Sequence, residues 1–277
     1  MNDLLYLLTA PFAACLLLAG IHCYLGLHVV SRGVIFVDLA LAQIAALGGA
    51  IALLAGFTLD SGASYLFSLG FAFAGAAIFA VGRFRDERIP QEAIIGITYA
   101  VASAAAILLL DRTAHGGEEI KAMLLGNILF VDWPTIWQTF IIYGAVGALH
   151  FRLRHRFFLI STDIERARSE GLRIWLWDLI FYASFGLVVT SSVRIAGVLL
   201  VFTFLVVPAA CAVLFFRGIR TRLLFGWAIG FLGSVAGLLV SVAGDFPTGA
   251  SIVTVFGMLL LLCSVFRWGM QRFGASC

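Results

Sequence analysis

Nine long apolar runs, separated by short polar or charged breaks, dictate how this chain can fold. They span residues 4–30, 33–56, 64–82, 93–110, 134–151, 174–193, 195–216, 223–243 and 251–266. About 20 apolar residues are what a helix needs to cross a bilayer, where every backbone N–H and C=O must find its partner inside the segment. Hydrophobic residues make up 62% of the chain and charged ones 12%, far from the balance of a soluble domain. The sequence therefore predicts an all-α polytopic membrane bundle of about nine transmembrane helices, built as a single domain over residues 1–277.

The basic residues orient it. With the N-terminus outside, 15 of the 18 Lys and Arg residues fall in cytoplasmic breaks, leaving only Arg112, Lys121 and Arg194 outside. The C-terminus is then cytoplasmic, and the net charge of +3 reports topology and not nucleic-acid binding. The opening Met1-Asn2-Asp3 has no basic region ahead of the first run, which reads as a retained span and not a cleaved signal. Five cysteines without CxxC spacing imply neither a disulfide framework nor a zinc knuckle. No HExxH, GxSxG or pair of intramembrane aspartates provides hydrolytic machinery. The single lysine, Lys121, follows Ile120, so no phosphate-cradling Gly-Lys pair exists, and any ATP must be bound by another subunit.

Between the fifth and sixth runs, residues 152–173 carry nine of the 33 charged residues. Within this stretch Thr162-Asp163-Ile164-Glu165 reads as a capping box, with Thr162 accepting from the Glu165 amide and Glu165 reaching back. Asp163 suits the positive end of the helix dipole, and Gly171 suits a left-handed stop. Ile160, Ile164, Ala167 and Gly171 then form a narrow apolar stripe on a two-turn helix. Such a helix is either a docking surface for a soluble partner or a solvated connection.

Polar residues inside the runs are few. Asp38 is the one acid expected at depth, at an insertion cost of about 2.5–3.5 kcal/mol, which makes function the default reading; snorkelling or a pair with Arg32 is the alternative. His22 and Gln43 lie ~15 Å from the inner face at helical rise and would meet at mid-membrane if the first two helices pack together. Imidazole suits divalent transition metals, although a membrane histidine also serves as a hydrogen-bonded packing residue. Pro208 is expected to kink its span, as a gate or as a structural feature. Ala72, Ala76 and Ala80, and Gly226, Gly230 and Ser234, form small-residue rows suited to close helix contact. Outside, His115, Glu118 and Glu119 make either a shallow cation-attracting patch or a solvated loop, followed by a short re-entrant or interfacial helix over 122–131.

These features come together in stretches of ordered motif. ISTDIERARSEGLRIWLWDLIF is followed by SVRIAGVLLVFTFLVVPAACAVL, with RGVIFVDLALAQIAALGG, MLLGNILFVDW and DFPTGASIVTV elsewhere. Over nearly its whole length the chain resembles the permease subunits of bacterial ABC importers for zinc, manganese and ferrous iron. The resemblance implies that residues 161–171 are a coupling helix, with Thr162, Asp163, Glu165, Arg166 and Gly171 docking on a cytoplasmic ATP-binding subunit. It also implies a permease homodimer in the bacterial inner membrane and a periplasmic or lipid-anchored metal-binding protein. Asp38, Gln43, His22 and Asp245 become transport-path residues, and Gly197, which opens the Gly-x-Leu-Leu span, joins Pro208 as a gating or packing residue. A divalent metal, zinc first with manganese or iron next, is then substrate and not a resident cofactor. One departure stands out: the family's His, four residues after the Asp, is here Ala42, with Gln43 beside it turned by about 100°. The competing functions are a permease for a metal chelate or other small solute, and a stand-alone secondary transporter, which would want coupling acids at the midplane.

Overall fold

A computed structural model describes residues 2–59, 61–82, 90–111, 124, 126 and 128–273, with residues 2–7 and 273 described by backbone alone. Among the described residues there is no strand. Among the described residues nine helices follow one another: α1 (Asn2–Arg32), α2 (Val37–Leu54), α3 (Gly62–Val81), α4 (Gln91–Leu110), α5 (Trp133–Thr162), α6 (Ile164–Ser169), α7 (Ile174–Phe215), α8 (Ile219–Gly244) and α9 (Thr248–Phe273), with a 3₁₀ turn at Ile128–Phe130 before α5. Seven of them, α1–α4 and α7–α9, are long and apolar enough to cross a membrane. The chain is thus a polytopic helical membrane protein. α5 is 30 residues long but falls outside that set, because polar Gln138 and His150 and the arginines of its second half dilute it.

At 42 residues α7 is too long for one crossing, and its contacts along α1 show that it reverses. Asp178 meets Arg32 and Ser192 meets His22, so the first half of α7 climbs away from Arg32. Leu205 and Ala209 then lie against Gly26, back toward Arg32. The reversal falls at Gly197, whose φ of 73° and ψ of 163° are essentially closed to other residues. At Pro208 the helix continues with helical backbone angles; the residue is buried, with Gly226 of α8 pressed against its carbonyl. The break in helical backbone angles within α7 falls at Gly197.

Small residues set the close contacts, as lipid requires of helices that gain little from the hydrophobic effect. Ala72, Ala76 and Ala80 are buried, with Ala72 against Gly186 of α7; Gly226 and Gly230 of α8 lie on Cys23 and Ala19 of α1. Two-thirds (67%) of the apolar window of α1 and of α2 is buried, against 22% for α4 and α9, so α1, α2 and α7 form the centre and α4 and α9 the rim. All described arginines except Arg194 lie in the half of the bundle toward α6.

Candidate functional site

The charged segment folds differently from its expected capping box. α5 continues to Thr162, whose hydroxyl donates back to the Phe158 carbonyl (2.8 Å) and is not free to cap. Asp163 is the cap: its backbone leaves the helix (φ −149°, ψ 84°) and its carboxylate accepts from the Arg166 amide at 3.0 Å. α6 therefore holds six residues and excludes Ser161 and Thr162. Its end is as expected. Gly171 takes φ +78°, with Leu172 N–H on Ala167 O (3.1 Å) and Gly171 N–H on Arg168 O (3.0 Å), the paired bonds of a Schellman stop. Ala167 and Ile160 are buried, while Glu165, Arg166, Arg168 and Glu170 face outward, Arg166 and Glu170 joined at 3.0 Å. Asp163→Ala is expected to destabilise α6 by about 1 kcal/mol and to speed hydrogen exchange at the Arg166 amide without altering the bundle.

Next to α6 lies a buried polar centre that the sequence did not reveal. Arg32 does not pair with Asp38. Its guanidinium donates to Asp178 Oδ1 (2.7 Å) and to Ser161 Oγ (2.8 Å), and it lies 4.0 Å above the Phe181 ring. Both side chains of the ion pair are essentially inaccessible, at 1% and 0% exposure, so Asp38 is not the only acid at depth. The Ser161 hydroxyl donates to Phe157 O (2.8 Å) and accepts from His28 Nδ1 (2.9 Å) as well as from Arg32.

Asp38 itself is fully buried at the start of α2, and neither carboxylate oxygen has a hydrogen-bond partner among the described residues. The Tyr143 phenol lies within its electrostatic reach. Tyr143 in turn shares Ser192 with His22: Tyr143 Oη is 2.5 Å and His22 Nε2 3.2 Å from Ser192 Oγ, while His22 Nδ1 donates to Leu18 O at 3.0 Å. Both nitrogens of His22 are thus occupied. His22 and Gln43 do not meet, because α1 packs along α5, α7 and α8 and not along α2. Gln43 instead lines a cavity of about 180 Å³ beside Tyr99 and Ser103 of α4. Asp245 is exposed, in a left-handed turn (φ 52°) that ends α8, away from Asp38. His115 and Glu118 lie outside the described residues, as does most of the expected helix over 122–131.

Two clefts open at the end away from α6. One, of about 390 Å³, is lined by Asp132, Thr135, Gln138, Ser191 and Arg194; the other, of about 170 Å³, by Ala42, Ala46, Ser64 and Thr190. Tyr65 and Arg194 belong to both, and Tyr65 Oη is 2.9 Å from Ser191 Oγ. Asp132 caps α5, accepting from the Thr135 amide at 3.0 Å, and the Thr135 hydrogen bonds hold its carboxyl below the usual carboxylate range. It is an anion at the cleft mouth, legible in the sequence only as an Asp-x-x-Thr helix start. Ala42, at the position of the missing histidine, is itself buried and borders the smaller cleft. Among the described residues no three His, Cys, Asp or Glu side chains converge as a metal centre. The polar groups lining the two clefts are mainly oxygen donors, Tyr65, Asp132, Thr135, Ser191, Ser64 and Thr190 among them.

Comparisons with known proteins agree with this geometry. Residues 5–267 match the ABC 3 transport family. The manganese transport system membrane protein MntC of Halalkalibacterium halodurans is 28% identical over 94% of this chain and 87% of its own length. A probable iron transport system membrane protein of Haemophilus influenzae is 28% identical over 72% of this chain and 71% of its own. The fold superposes on the solved PsaBC from Streptococcus pneumoniae in complex with Fab, with a TM-score of 0.77, 21% identity, and coverage of 93% of this chain and 90% of that one.

Proposed function

The chain belongs to the ABC 3 transport family, and from that premise we propose that it is the permease through which an importer passes manganese, with iron next, across the bacterial inner membrane. It is a multi-pass transport permease of a metal importer and not an enzyme; ATP hydrolysis belongs to a separate subunit. The observation that carries the reading is Asp38. A carboxylate buried without a partner is costly in a membrane protein and is kept where a cation must pass. Oxygen donors such as Asp38, Ser191, Tyr143 and Thr190 favour manganese, whereas zinc prefers imidazole and thiolate. The two metal-named relatives above concern manganese and iron, so manganese takes the place that the sequence reading gave to zinc. In this reading the α6 end is cytoplasmic and α6 docks on the ATPase. The clefts beside Arg194 then face a binding protein that delivers the metal, and two permease copies make the complete channel.

The test is uptake in a host lacking its own manganese, zinc and iron importers, with the chain co-expressed with its ATPase and binding protein. All metals are assayed together by mass spectrometry. ATP-dependent accumulation of manganese is the expected result. An intact complex that accumulates no free metal would move the reading to a chelate or another solute. The cleft beside Ala42 adds a second prediction. Ala42→His places an imidazole one helical turn from Asp38, and zinc should then block manganese uptake at about tenfold lower concentration, the worth of one added ligand at roughly 1.4 kcal/mol.

A further inference from the structure

Ser161 is the last buried residue of α5, two residues before the Asp163 cap of α6, and its hydroxyl is saturated. Its one hydrogen goes to Phe157 O, so both other partners must donate to it: Arg32 through Nε and His28 through Nδ1. Arg32 uses its second arm to hold Asp178 in the first turns of α7. One guanidinium, fixed over Phe181, therefore ties the root of α6 to α1 and α7. These are the two helices that carry His22 and Ser192, and α7 also carries the Gly197 reversal. A fork of this geometry transmits displacement, because neither arm can lengthen without leaving a buried guanidinium N–H of Arg32 without its acceptor.

We propose that the Ser161–Arg32–Asp178 link positions the transport helices in response to α6, so that severing it leaves ATP hydrolysis running without metal movement. The proposal rests on α6 being the ATPase-docking helix. Arg32 is a positioning residue: it acts through Ser161 and Asp178 and touches neither metal nor nucleotide.

The experiment uses the complete importer reconstituted in vesicles, with ATP hydrolysis and manganese uptake measured on the same preparation. Ser161→Ala removes the hydroxyl with little change of volume. Arg32→Lys keeps the charge but replaces the fork by a single point that cannot reach both partners. In both variants, hydrolysis should stay within about twofold of wild type while manganese moved per ATP falls about tenfold, within the usual range of coupling between sites. The double variant should be no worse than the worse single one, because both cut the same link. Should Arg32→Lys fail to fold, Ser161→Ala alone decides. Uptake and hydrolysis falling in parallel, or an unchanged ratio, would overturn the proposal. Absence of ATP-dependent uptake in the wild type would instead indict the metal-importer reading, and loss of ATPase binding in Gly171→Val, which breaks the stop of α6, checks the docking premise separately.

Discussion

Gly197→Ala gives a permease that reaches the membrane but unfolds at lower temperature and imports little. At φ 73° and ψ 163° an alanine pays steric strain of about 1–3 kcal/mol. The site cannot relax, because Gly126 packs its backbone onto the Ala196–Gly197 peptide so closely that not even a methyl group fits between them. Uptake should fall about tenfold or more, the effect of at least ~1.4 kcal/mol on a transport barrier. Two controls bracket the result. Gly20→Ala meets open space and should be silent, and Pro208→Ala, in unbroken helix, should cost far less than Gly197→Ala. Thermal unfolding of the purified protein and uptake by cells report the two quantities. If Pro208→Ala were the more damaging change, the reversal would not be the critical point of α7.

Asp38→Asn should separate stability from transport. The substitution keeps shape and removes a buried charge that has no partner among the described residues, so no hydrogen bond seen there is lost. Thermal stability should be unchanged or higher. Manganese uptake should fall about tenfold or more, again at least ~1.4 kcal/mol, since the neighbouring acids are engaged elsewhere: Asp178 holds Arg32 and Glu92 accepts from the Phe36 amide. Equal losses of yield and uptake would make Asp38 a structural residue and remove the main support for a cation path.

What the sequence revealed and what it concealed follow one division. Features set by a run of neighbours were legible: the apolar runs, the small-residue rows, and the Gly171 stop, whose hydrogen bonds stay within a few residues. Features set by distant partners were not. Asp178 sits among tryptophans in an apolar run, and its meaning depends on Arg32, 146 residues away. The Thr162 cap failed for a local reason. α5 continues eleven residues past the apolar run, to Thr162, with Ser161 held by α1, and its last turn consumes the Thr162 hydroxyl. The meeting of His22 with Gln43 required α1 and α2 to pack together, which consecutive helices usually do; here α7 occupies that place. The Ala42 departure was visible as a missing residue, but only the fold shows that a cleft lies beside it.

The loopless turn at Gly197 also bears on how the protein is made. Ordinary neighbouring spans leave a polar segment in water between them, so each can enter the bilayer in its own time. The two halves of α7 have no such segment, because only the Gly197 backbone separates them. They are therefore expected to enter the bilayer together, as one helical hairpin. With the α6 end in the cytoplasm, as proposed, an error at that step would not merely loosen α7: it would thread α8 and α9 the wrong way round and carry Arg217, Arg220 and Arg222 across the membrane, where a protease added from outside would find them.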